Sequence, residues 1–235
     1  MTRRYLVVDD NEAFAENLQE ILRDTGALVD LAHDGARALE LVKAHRFDAI
    51  VTDMRMPGMN GAELLCELRK IDEGLPAVLL SAYSEEGLLR LARRDGLLAV
   101  LSKPQQIPRL LQVLESARRD GAVLLVEDDL ALADTLSEAL RERGLTAVTA
   151  PSLSELERIS AHPFAVLVDL KLPDARAAEA LDRVHARWPG VPAIVMTALT
   201  ELPPLPRGTE CVRKPFDTAV LMRRLETLYR EHQPS

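Results

Sequence analysis

The residues of this chain that can do chemistry sit where apolar runs end. Asp9 and Asp10 close Tyr5-Leu6-Val7-Val8, Asp53 closes Ala49-Ile50-Val51-Thr52, Ser81 closes Ala77-Val78-Leu79-Leu80, and Lys103 follows Leu98–Ser102. The same types recur in the same order as Glu127, Asp128, Asp169, Thr197 and Lys214. Three carboxylates at one place repel one another unless a cation joins them, and a hard, oxygen-seeking ion such as Mg²⁺, completed by water and a backbone carbonyl, suits them. A lysine, a hydroxyl and a metal can together hold the oxygens of a phosphoryl group, and a carboxylate is a competent phosphoryl-accepting nucleophile.

Short apolar runs bounded by Asp, Gly, Pro and Asn read as buried parallel strands, and an α/β sheet binds ligands at the C-terminal ends of such strands. Between them, apolar positions such as Phe14, Leu18, Ile21 and Leu22 recur at helical spacing. The first copy predicts strands at 4–8, 28–32, 48–52, 77–80 and 98–101, with helices near 12–24, 36–45, 62–71 and 85–95 and a last one running to Arg119. The second copy predicts strands near 122–126, 145–149, 164–168, 192–196 and 210–213, and helices near 129–143, 152–161, 175–188 and 216–231. Alternating strands and helices give an α/β chain of two tandem doubly wound (βα)5 domains, 1–119 and 122–235, with five-stranded parallel sheets in the order 2-1-3-4-5. One element is missing from the second copy: Ser81 to Lys103 spans 22 positions, Thr197 to Lys214 only 17. Prolines 203, 204 and 206 fall in that shortened stretch, so the fourth helix there is expected to be a loop.

Aliphatic cores follow from 47% hydrophobic but only 3% aromatic residues. Charge is 16 basic against 19 acidic residues over 1–119 and 13 against 18 over 120–235, which argues against nucleic-acid binding in either half. Arg93-Arg94, Arg118-Arg119 and Arg223-Arg224 read as solvated helix faces. Cys66 and Cys211 have no metal-ligand or disulfide spacing; Cys66 reads as a small packing residue and Cys211 as buried in or beside the fifth strand of its copy. His45 and His162 match one another at the end of the second helix of each copy, away from the acidic edge. No apolar segment suggests a signal peptide or a membrane span, so a cytoplasmic, membrane-free protein is expected.

The ordered set of DD or ED, then DxxMP or DxxLP, then SA or TA, then KP, each at a strand end and each present twice, resembles the receiver domain of two-component response regulators. The resemblance implies that Asp53 and Asp169 accept phosphate from a histidine kinase or phosphotransfer protein. It implies that Asp10 and Asp128 ligate Mg²⁺, with Asp9 and Glu127 assisting through water and the carbonyls of Arg55 and Lys171 completing the shell. Ser81 and Thr197 would approach the phosphoryl group, Lys103 and Lys214 would pair with it, and Pro104 and Pro215 would follow cis peptide bonds. It further implies a downstream protein target, with a homodimer as another partner to consider, and Mg²⁺-dependent self-phosphorylation and autodephosphorylation rather than enzymatic turnover. Val100 and Cys211 stand where receivers carry an aromatic switch residue, Gln105 replaces the common Phe that copy two keeps as Phe216, and Ala177 stands opposite Gly61.

Other readings are weaker. A phosphorylation-independent scaffold of the same fold would be marked by failure to take up phosphate, and a piece of a hybrid histidine kinase would share every motif. An aspartyl phosphatase commonly needs a second acid two residues after its nucleophile, where this chain has Arg55 and Lys171. A DNA-binding regulator is disfavoured because the sequence ends soon after the last receiver helix. Taken singly, Asp9-Asp10 would be helix caps and Lys103 a surface lysine; their joint repetition is what points to a site.

Overall fold

The computed structural model describes residues 2–72, 74–81, 97–103, 107–159, 161–175, 179–206 and 209–232. The chain divides into two compact units, Met1–Asp120 and Gly121–Ser235. In the first, β1 (Arg4–Val8), α1 (Glu12–Asp24), β2 (Leu28–Ala32), α2 (Gly35–Ala44), β3 (Ala49–Asp53), α3 (Gly61–Arg69), β4 (Ala77–Ser81), β5 (Leu97–Ser102) and α4 (Ile107–Ser116) follow in order. In the second come β6 (Ala122–Val126), α5 (Leu130–Arg141), β7 (Thr146–Ala150), α6 (Leu153–Leu156), β8 (Ala165–Asp169), α7 (Glu179–Arg187), β9 (Ala193–Thr197), β10 (Glu210–Arg213) and α8 (Thr218–His232). Both sheets are parallel, in the orders β2-β1-β3-β4-β5 and β7-β6-β8-β9-β10. This is the doubly wound order expected from the sequence.

Alternation along each strand sends neighbouring side chains to opposite faces. Leu6, Val8, Ile50 and Leu79 join Val42, Leu65 and Leu68 on one face of the first sheet, while Tyr5, Val7, Val51 and Val78 join Leu18, Leu22, Leu110 and Leu114 on the other. The second sheet repeats this with Leu124, Val166 and Val168 against α7, and Val123, Leu125 and Leu167 against α5 and α8. Each such leucine, removed from water, contributes roughly 1.5–3 kcal/mol.

Helix starts obey local chemistry. Asn11, Asp34 and Asp129 accept from backbone N–H groups of the first turns of α1, α2 and α5, and Asn60 with Glu63 forms a reciprocal capping box on α3.

The sequence and the structure part at one helix, at the histidine that follows it and at the two cysteines. The helix expected over 152–161 closes after Leu156: the Arg187 guanidinium draws off the carbonyls of Leu156, Glu157 and Ile159, and the chain turns to bury Ile159 and Ala161. His162 is therefore not at a helix end, whereas His45 is the C-cap of α2. Both cysteines are exposed: Cys211 lies within β10, but on its outward-facing side. As its prolines lead one to expect, the stretch Leu199–Pro206 holds no helix, and Leu199 and Leu205 pack onto the sheet face that a helix would otherwise cover. The helix expected near 85–95, Pro104 and Ala177 lie outside the described residues.

Candidate functional site

Strand register builds the site. Val8 is level with Thr52 and Asp53 with Leu80, so the next residues, Asp9, Asp53 and Ser81, emerge side by side at the C-terminal edge of the sheet. Ser81 is level with Ser102, which places Lys103 beside them. Lys103 Nζ lies 2.8 Å from Asp9 Oδ2 and 2.8 Å from Asp53 Oδ1. Asp9 Oδ1 accepts from the Asn11 N–H at 3.0 Å, and the carboxylate oxygens of Asp9, Asp10 and Asp53 lie within 4.8 Å of one another. Asp9, Asp53 and Ser81 are buried and Asp10 is exposed, so the cluster opens to solvent on one side.

The second unit repeats the register: Val126 is level with Val168, Asp169 with Met196, and Thr197 with Arg213. Lys214 Nζ bridges Glu127 Oε2 and Asp169 Oδ2, each at 2.7 Å, and Glu127, Asp128 and Asp169 approach within 4.8 Å. Lys171 N–H donates to Asp169 Oδ1 at 2.9 Å, and Thr197 Oγ1 accepts from Leu199 N–H at 3.1 Å. Arg55 and Lys171 are exposed in the loops two residues past the central carboxylates. The peptide bond between Lys214 and Pro215 is cis.

Electrostatics agree with the geometry. Burial pulls both lysines down, but hydrogen bonds to Asp53 and Asp9, and to Asp169 and Glu127, outweigh it and leave Lys103 and Lys214 above the usual lysine value. Burial pushes the Glu127 carboxyl up, against the hydrogen bond from Lys214, and the charge on Asp169 adds to the rise. Burial is the larger cause of that rise, and the neighbouring acid the smaller.

The profile of the response regulator receiver domain matches residues 5–115 and again 123–226. The chain belongs to this family. A response regulator receiver protein of Anaeromyxobacter sp. (strain Fw109-5) is 53% identical over 230 residues, spanning 97% of this chain and 96% of the relative. Response regulator MprA of Mycobacterium ulcerans is 34% identical over 177 residues, 71% of this chain and 76% of its own. Among solved structures, a CheY-like receiver domain from Methanospirillum hungatei is 25% identical with a TM-score of 0.48, covering 49% of this chain and 92% of that one. The receiver domain of a sensor histidine kinase from Pseudomonas aeruginosa, with a magnesium ion in its active-site cleft, is 27% identical with a TM-score of 0.45, covering 49% and 96%.

The two receiver domains differ in ways the motifs do not show. In the first, Lys103 Nζ also stands 4.6 Å from the centre of the Phe14 ring, a cation–π contact that Leu132 cannot offer at the matching place in the second. In the second, Asp174 accepts from the N–H groups of Leu153 and Ser154. Val100, in the usual aromatic position of the first receiver, is 37% exposed, and Cys211 is exposed in the second. Among the described residues, no helix is long and apolar enough to cross a membrane.

Proposed function

We propose that the chain is a signalling protein of two receivers, 1–119 and 122–235, that take phosphoryl groups on Asp53 and Asp169 from a histidine kinase or phosphotransfer protein. The observation that carries this reading is the lysine-bridged carboxylate cluster, built by the same register at the C-terminal edge of both sheets. The family's part in two-component signalling agrees with it. The carboxylates fit a hard divalent cation: the donors are oxygens within 4.8 Å of one another, and each cluster sets three carboxylates against one lysine. Asp9, Asp10, Asp53 and the Arg55 carbonyl in the first receiver, and Glu127, Asp128, Asp169 and the Lys171 carbonyl in the second, would hold Mg²⁺. When bound, the ion neutralises charge on the phosphoryl oxygens and on the attacking carboxylate.

The rest is work for this chain's own groups. Asp53 or Asp169 attacks phosphorus through a carboxylate oxygen as the donor's bond to phosphorus breaks. Lys103 or Lys214 already holds that carboxylate and can pass to a phosphoryl oxygen, since its three protons need not all leave the neighbouring acid. Ser81 or Thr197 supplies a hydroxyl from the adjacent strand. Each site loads and discharges its own phosphoryl group and turns over no free substrate. The protein acts in the cytoplasm through contacts with a protein target.

Phosphorylation by a small phosphodonor with Mg²⁺, read by intact mass, tests this. Wild type is expected to gain up to two phosphoryl groups, and Asp53→Asn and Asp169→Asn one each. A pattern unchanged by Asp169→Asn would make the second receiver a scaffold.

A further inference from the structure

We propose that Asp174 is a positioning residue of the second site, holding the loop after Asp169 in the conformation that presents the Lys171 carbonyl. The inference rests on the reading that this carbonyl, with Glu127, Asp128 and Asp169, ligates Mg²⁺.

Asp174 uses both carboxylate oxygens on one target. Oδ1 accepts from Leu153 N–H at 2.9 Å and Oδ2 from Ser154 N–H at 3.2 Å, 21 and 20 residues back in the chain. These are N–H groups of the first turn of α6, which have no acceptor within the helix. The grip draws the Asp174 carboxyl below its ordinary value, chiefly through the Leu153 bond. At the other end of the loop, Lys171 N–H is fixed on Asp169 Oδ1, with Leu170 and Leu172 buried on either side. The loop is thus pinned to the central carboxylate at one end and to α6 at the other.

Beside it lies a cavity of about 390 Å³, lined by Asp128, Lys171, Pro173 and Leu199 among others. The loop has space to move into, and the two bonds of Asp174 oppose that movement. In the first receiver the matching residue is Gly58, at φ +80°, which has no side chain to offer. There Met59 packs tightly over Gly35 at the start of α2, its sulfur 2.7 Å from where a Cβ of residue 35 would stand. One receiver steadies its loop by packing, the other by a carboxylate.

The test is a Mg²⁺ titration of the full chain followed by amide NMR, with Lys171 reporting on the second site and Arg55 on the first. Asp174→Ala is expected to weaken Mg²⁺ about tenfold at the second site, the scale on which supporting groups act on metal affinity, and to leave the first unchanged. Asp174→Asn should recover part of the loss, because its amide oxygen still accepts a bond. Ser152→Ala removes the other side-chain cap of α6, on Glu155 N–H at 3.2 Å, without touching the loop, and should leave the midpoint in place. An unchanged midpoint in Asp174→Ala, or an equal loss in Ser152→Ala, would overturn the positioning role while the metal site stands. A wild-type second site that ignores Mg²⁺ while the first responds would overturn the metal reading and this inference with it.

Discussion

At Gly61 an added Cβ would lie 2.3 Å from the Asp53 carbonyl oxygen and 2.9 Å from Leu79 Cδ2, so a methyl group there must push on the backbone that holds the central carboxylate. Gly61→Ala is expected to destabilise the first unit by about 1–3 kcal/mol; hydrogen exchange should quicken in β3 and stay unchanged in β8. Asp10 and Asp128 are the exposed members of their clusters, and Asp10→Ala or Asp128→Ala should abolish Mg²⁺ binding in its own domain only, as titration of each domain would show. An unaltered midpoint in the mutated domain refutes the assignment. The acids, hydroxyls and lysines were legible in the sequence because each ends an apolar run, and strand register then brings run ends together. Asp174 was not legible as a cap, because its partners lie 20 and 21 residues away and no local spacing announces them. Phe14 beside Lys103 was hidden for the same reason: its spacing says only that it belongs to a helix.

Among the elements, strands were read almost to the residue, while helix ends depended on where their carbonyls went. Leu153, Leu156 and Ile159 keep an apolar spacing that a helix and a buried turn satisfy equally, and Arg187, some thirty residues on, decides for the turn. Arg187→Ala is expected to cost about 1–3 kcal/mol, since it strips donors from part-buried carbonyls, and a lowered urea midpoint would register it. β10, only four residues long, is tied to α8 by Arg224 on Glu210, with Nε at 2.8 and 2.9 Å from the two carboxylate oxygens. Those hydrogen bonds hold the Glu210 carboxyl below its ordinary 4.5. A lowered carboxyl contributes stability that is present above pH 4.5 and lost as the pH falls through the folded value. Both side chains are more than a third exposed, so solvent screening keeps the contribution below about 1 kcal/mol. Glu210→Gln should therefore flatten the acid limb of the stability profile slightly; a steeper limb would contradict the assignment.

Across the whole molecule, one design is used twice and has drifted most on the side of the fifth strand. The second receiver fills the place of its fourth helix with Leu199 and Leu205 on the sheet face, leaving no packed helix there to switch between two arrangements. The first receiver is accordingly expected to be the one whose fifth-strand side changes on phosphorylation. A beryllofluoride mimic of the phosphoryl group should alter hydrogen-exchange protection in β5 more than in β10, and the reverse ranking would invert this division of labour. The repeat, the parallel order and the missing helix were all readable from spacing and prolines. The sequence alone does not reveal that Cys211 is exposed, because a strand at the sheet edge keeps one side wet, as the alternating exposure of β10 shows. That exposure has a practical use: the chain carries two accessible thiols, Cys66 in the first unit and Cys211 in the second. A spin label or a dye on each turns the native sequence into a molecular ruler, able to report the separation of the two units in solution before and after loading, with no engineered attachment points.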